Sequence, residues 1–194
     1  MLSTAVAAVG FRHSTGQTYL APHDSGTSGW LGLQMRVEAD TFDVSPNLGV
    51  RHEDLHLVVD RACGRRSEPT PTLVRLLGYV MPQNSSLIVW EFRRDDDTDW
   101  VAQAANMAQH IESYGIPWMD RFRSLDEILA GIDAGLSLHR PYLRPAALML
   151  LNRRAEALEQ LDEDVRNLGY RTDLAAAHFR RFAEALKTQL DAAT

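Results

Sequence analysis

Residues 30–50, WLGLQMRVEADTFDVSPNLGV, narrow the choice of folds more than any other stretch, because their apolar positions recur at every second residue. Leu31, Leu33, Met35 and Val37 alternate with Trp30, Gly32, Gln34 and Arg36. After a turn at Glu38, Ala39 and Asp40, the set Phe42, Val44, Pro46, Leu48 and Val50 alternates with Thr41, Asp43, Ser45, Asn47 and Gly49. Successive side chains of a strand point to opposite faces, so this period predicts two antiparallel strands with one apolar and one wet face. Pro46 has no N–H for a ladder, which puts its strand at a sheet edge or marks a bulge. A sheet that is apolar on one face has to be covered, and the rest of the chain supplies helices.

Residues 2–8 read as a short helix stopped by Gly10, and residues 17–21 as a first strand. Beyond residue 50 the period lengthens to that of a helix: Leu55, Val58, Val59 and Ala62 mark one over residues 51–63, closed by Gly64. Residues 73–81 and 87–92 flank a polar tetrapeptide and predict a second hairpin. Thr98 is placed to cap a helix carrying Trp100, Ala104, Met107, Ile111 and Tyr114 on one side, ended by Gly115 and Pro117. Ser124 and Glu127 have the spacing of a capping box. Pro145 suits the first turn of the next helix. Leu158, Leu161, Val165 and Leu168 form the stripe of another that stops at Gly169, and Thr172 caps a last one with Ala175, Phe179, Phe182, Leu186 and Leu190 in line. The fold class is therefore α+β, a single domain over residues 1–194. Residues 1–94 are sheet-rich with about five mainly antiparallel strands, and residues 95–194 are helical.

The 194 residues are 45% hydrophobic and 24% charged, enough for one substantial core. A net charge of −6 argues against binding nucleic acid by neutralising phosphates and suits a basic protein partner. The lone Cys63 cannot form an internal disulfide and fits a reducing, cytoplasmic setting. No run approaches the roughly 20 apolar residues of a membrane span. The opening MLSTAVAAVG lacks a basic start and reads as a first helical turn, a signal peptide being the other reading.

The sharpest chemical motif is His52, Glu53, Asp54, Leu55, His56, a His-Glu-x-x-His. On a helix, residues four apart share a face, so both imidazoles can reach one zinc with Glu53 placed to activate a bound water. A third ligand would come from elsewhere, Glu68 and Glu91 being the nearest downstream carboxylates. Asp54 is a charge where zinc peptidase motifs carry uncharged residues, and the same acids also suit the positive start of a solvated helix. Cys63 is too far along the axis to share a metal with His56 on one straight helix. Its arginine neighbours, Arg61, Arg65 and Arg66, are placed to lower its pKa. The acids Asp95, Asp96, Asp97 and Asp99 lack the glycine and closing glutamate of a calcium loop. They read as a solvated turn and helix start, or, with Asp162, Glu163 and Asp164, as an acidic binding surface. Trp30, Arg36, Asp43 and Asn47 fall on the wet face of the hairpin, where Trp30 is either a binding anchor or core under a late helix. His110, His139 and His178 are scattered singly, and no dinucleotide, phosphate-loop, nucleophile-elbow or Cys-x-x-Cys motif is present.

Several segments recur in a familiar order: Gly10-Phe11-Arg12 after a short helix, Asn47-Leu48-Gly49-Val50 ending a strand, and Trp90 before a helix opened by Trp100. The Gly115-Ile116-Pro117 turn and the LLNRRAEA segment at 150–157 follow. The arrangement resembles a bacterial α+β domain family of no established function, some of whose members look like immunity proteins that accompany secreted toxins. The resemblance spans nearly the whole chain, rests on structural motifs, and carries over no catalytic residue. Three functions stay open. The first is a non-enzymatic, immunity-type binding protein that takes a basic partner through Asp95, Asp96, Asp97 and Asp99, with Trp30, Arg36 and Asp43, and needs no cofactor. The second is a zinc-dependent hydrolase with His52 and His56 as ligands and Glu53 as general base. The third is a small-ligand pocket between sheet and helices, which leaves no trace in a sequence.

Overall fold

The computed structural model describes residues 2–23, 25–86, 88–93 and 97–192. It is an α+β fold built on an open antiparallel sheet. The sheet begins with β1 (Arg12–Thr15), β2 (Thr18–Pro22), β3 (Thr27–Val37) and β4 (Thr41–His52), each paired with the next. β3 and β4 form the expected hairpin, with Arg36 opposite Asp43 and Leu31 opposite Leu48. Leu31, Leu33, Phe42, Val44, Pro46, Leu48 and Val50 are buried, as the period of two predicts. β1, exposed at all four positions, escapes the sequence reading because an edge strand with no apolar face has no alternation to show.

The second hairpin does not form. β5 (Leu73–Leu76) and β6 (Trp90–Arg93) pair not with each other but end to end along the far edge of β4, β5 on Asn47–Val50 and β6 on Thr41–Val44. β4 is twelve residues long and has room for two four-residue partners. Between β5 and β6 the chain folds on itself, with a 3₁₀ turn at Leu77–Tyr79 and a Ser85 N–H donating to the Gly78 carbonyl. Leu87, the expected first residue of the later strand, lies outside the described residues. This arrangement also corrects the reading of Pro46, which is in the middle of the sheet. The Val50 carbonyl accepts from Thr72 on the β5 side, and residues an even number apart in a strand face the same edge. Pro46 therefore points its nitrogen into the gap between β5 and β6, where no N–H is needed.

The helices are α1 (Leu2–Ala8), α2 (Glu53–Cys63), α3 (Asp97–His110), α4 (Ile116–Met119), α5 (Leu125–Asp133), α6 (Arg140–Leu150), α7 (Arg154–Leu168) and α8 (Leu174–Ala192). Four expected boundaries move. Gly115 and Pro117 do not stop α3: a π turn at Ile111–Gly115 carries it into α4, and Pro117 falls in the first turn of α4, next to a widened turn of the kind that accommodates a missing donor. Thr98 lies inside α3 rather than capping it. Pro145 is an interior residue of α6, whose first turn is instead shaped by Pro141. Asp173, not Thr172, caps α8 by accepting the Ala176 N–H at 3.0 Å. The Ser124–Glu127 capping box forms as its spacing requires.

α3, α4 and α5 cover the apolar face of the sheet. Gly115 presses the π turn onto Leu48 and Gly131 presses α5 onto Leu73; a Cβ at either would meet a leucine methyl at 3.0 and 2.5 Å. α2 packs instead with α6 and α8, and the rings of Tyr142, Phe179 and Phe182, 4.8–5.8 Å apart, fasten α6 to α8. Among the described residues no helix is long and apolar enough to cross a membrane.

Candidate functional site

β4 runs into α2 without a loop, and the junction decides where the His-Glu-x-x-His residues go. The expected helix from residue 51 starts only at Glu53; Arg51 and His52 still belong to the strand. His52 is extended (φ −107°, ψ 114°) and is the N-cap, its Nδ1 accepting the Leu55 N–H at 3.4 Å. Burial lowers the His52 pKa, against the opposing pull of Asp54 and Glu53. Glu53 is turned back onto Arg51, whose Nε reaches its two carboxylate oxygens at 2.9 and 3.0 Å. The three functional positions of the motif thus have separate tasks: His52 caps, Glu53 pairs with Arg51, and His56 lines a cavity. Of the suggested third ligands, Glu68 lines the same cavity as His56, whereas Glu91 is on β6 opposite Asp43, and among the described residues no three such side chains are grouped to hold a metal.

Arg51 is buried, and its guanidinium organises the loop after α2. Nη1 donates to the Glu68 and Thr70 carbonyls at 2.7 and 2.9 Å, and Nη2 to Ser67 Oγ at 2.9 Å. Trp30 holds the same loop from the sheet. Its indole lies over Gly32 and Gly49, where any Cβ would strike the ring, and its N–H donates to the Pro69 carbonyl. Trp30 is therefore covered by the loop rather than by a late helix. Arg36 and Asp43 form an exposed cross-strand ion pair at 2.8 Å, extended to Glu38 at 3.1 Å.

The loop closes one side of a cavity of about 350 Å³. α2 supplies His56, Val59 and Asp60, and the loop supplies Arg65, Glu68 and Thr70. The start of α6 adds His139, Tyr142 and Leu143, and α8 adds His178. His56 and Asp60 are only 3% and 5% exposed. Asp60 Oδ1 accepts from Arg65 Nε at 2.7 Å, but Asp60 Oδ2 and His56 Nε2 have no partner among the described residues. Buried polar atoms are nearly always hydrogen-bonded, so two open ones on the wall of one cavity mark it as a site. Burial, reinforced by the Arg51, Arg65 and His139 charges and only partly opposed by Asp60, pushes the His56 pKa down to about 3. At neutral pH the imidazole is uncharged and can accept at one nitrogen. Burial also raises the Cys63 thiol, so Arg65 beside it does not produce the reactive thiolate that the neighbouring arginines suggest.

Asp95 and Asp96 lie outside the described residues, Asp97 is the first residue of α3, and half-buried Asp99 accepts from Gln103 at 3.5 Å. Asp162 pairs with Lys187, while Asp164 is half-buried and burial raises its pKa. Sequence reading passed over Asp60, Arg65, Tyr142, His139 and His178 as site residues. Only the His56–Asp60 pair had a local signal, its spacing of four on one helix face; the rest meet through tertiary packing. Comparison with protein-family models, with curated proteins and with solved structures returns no match. What the site does has to be read from its own residues.

Proposed function

We propose that this chain is a binding protein for a small polar ligand, held in the cavity between α2, α6, α8 and the loop after α2. The observation that carries this reading is the pair of open buried atoms, His56 Nε2 and Asp60 Oδ2. Leaving such atoms unpaired costs about 1–3 kcal/mol each, and a ligand that satisfies both recovers that energy on binding. Most of the lining side chains are polar or charged, with Val59, Leu143 and the Tyr142 ring supplying the carbon part of the wall, which suits a small polar ligand. The test is ligand-observed NMR with small ammonium, amidinium, carboxylate, phosphate and polyol probes. Binding of any class that disappears in His139→Trp, an exposed position whose new ring would fill the cavity mouth, supports the reading. If no class binds the parent chain, the reading fails.

A second reading is the zinc-dependent hydrolase, favoured by His56 itself. A neutral imidazole with an open nitrogen is the form zinc binds, and Glu68, His139 and His178 border the same cavity. With His52 as the partner ligand, zinc would have to use the nitrogen not engaged by Leu55, and Glu53 would have to leave Arg51 to act as base. Elemental analysis after zinc loading and dialysis decides it: close to one equivalent, lost in His56→Ala, keeps the hydrolase, and no retained zinc removes it.

A further inference from the structure

We infer that the ligand of this cavity is a small organic cation, with N–H donors at one end and an uncharged body at the other, an ammonium or amidinium compound. The inference rests on the cavity reading above and adds the chemistry of what is bound. The two open atoms belong to residues four apart on α2, so they lie on one face, with their Cβ atoms roughly 5–6 Å apart. Asp60 Oδ1 accepts from Arg65 in an ion pair, which leaves Oδ2 as the second acceptor of the same carboxylate. His56 stays uncharged among Arg51, Arg65 and His139, and in its Nδ1–H tautomer the unpartnered Nε2 is a second acceptor. A pair of acceptors on one wall calls for a ligand with a fork of donors.

Charge points the same way. The cavity is bordered by two carboxylates, Asp60 and Glu68, against one guanidinium, Arg65. A carboxylate or phosphate would face the Asp60 carboxylate across the cavity and be repelled by it. Sugars would find acceptors but leave the carboxylate charge unmatched. A bare divalent ion would fill a small part of the space and would lie beside the Arg65 guanidinium. The carbon wall of Val59, Leu143 and the Tyr142 ring suits the uncharged body.

Three probes of nearly one shape separate charge from size: benzamidine, benzamide and benzoate, titrated calorimetrically into the full chain. The expected result is benzamidine binding at least about tenfold tighter than benzamide, with benzoate weakest, since one charge-assisted hydrogen bond is worth about that factor. Asp60→Asn should weaken benzamidine by about tenfold and leave benzamide nearly unchanged. Glu68→Gln, at an exposed loop position where folding is not at stake, should weaken it by about twofold. If benzamide or benzoate binds as tightly as benzamidine, and His139→Trp blocks it, the cavity binds ligands but the cation inference is wrong. If benzamidine binds with no loss in either acid variant, the inference is also wrong. If none of the three binds, it falls, and the wider NMR panel shows whether the cavity reading falls with it.

Discussion

Arg51 and Asp60 are both charged side chains removed from water, one at the end of β4 and one on α2, and the fold treats them in opposite ways. Arg51 spends its guanidinium on the Glu53 carboxylate, two loop carbonyls and a serine hydroxyl. Asp60 spends one oxygen on Arg65 and leaves the other without a partner among the described residues, and Nε2 of His56 on the same cavity wall likewise has none. Arg65 is itself half in water, so nothing buried depends on Asp60 for its pairing. The contrast separates a polar group that builds the structure from polar groups the structure leaves unused, and function is to be sought among the second kind.

Substitution should pull the two apart. Arg51→Met strands the Glu68 and Thr70 carbonyls and unties the loop, and should cost about 3–5 kcal/mol in urea denaturation. The acid limb of stability reports on His56 next. Its pKa is about 3 when folded against an ordinary 6.5, so the unfolded chain binds the extra proton between those values. This contribution is complete above pH 6.5, declines as the pH falls, and is lost near pH 3, with about 2–3 kcal/mol gone between pH 7 and 4.5. The charged or titratable groups around the ring are Arg51, Asp60, Arg65 and His139, and His56→Leu should flatten the slope in that window. Trp30→Phe keeps a ring over Gly32 and Gly49 but loses the bond to Pro69, for about 1 kcal/mol by the same denaturation. Asp60→Asn should change stability by less than about 1 kcal/mol, because the partner it releases is solvated. If Asp60→Asn proves as costly as Arg51→Met, the distinction between them is gone.

The sequence was most legible where a short period governs the structure. The β3–β4 hairpin, the Gly64 stop of α2 and the Ser124 capping box follow from spacing alone, because the interactions involved are local. The sequence misleads where a distant partner takes over. Residues 73–76 and 90–93 have strand composition, but the long free edge of β4 chooses their partners. Pro46 resembles an edge residue because the gap it faces is set by those same two strands. The motif at residues 52–56 points to the right helix and to the wrong grouping. His56 reaches the cavity, but its companions there, Asp60 apart, come from the loop, α6 and α8. Nothing in the sequence around His139 or His178 shows that these two scattered histidines share a wall.

That wall joins His56 to His178, more than a hundred residues later in the chain. The site is therefore completed only when α8 docks against α2, and the same helix is the natural place for it to come open. Local detachment of α8 would uncover the cavity while the β3–β4 ladder stayed intact. A bound ligand would then be recorded in the hydrogen-exchange protection of the amides of α8, far along the chain from the residues that hold it.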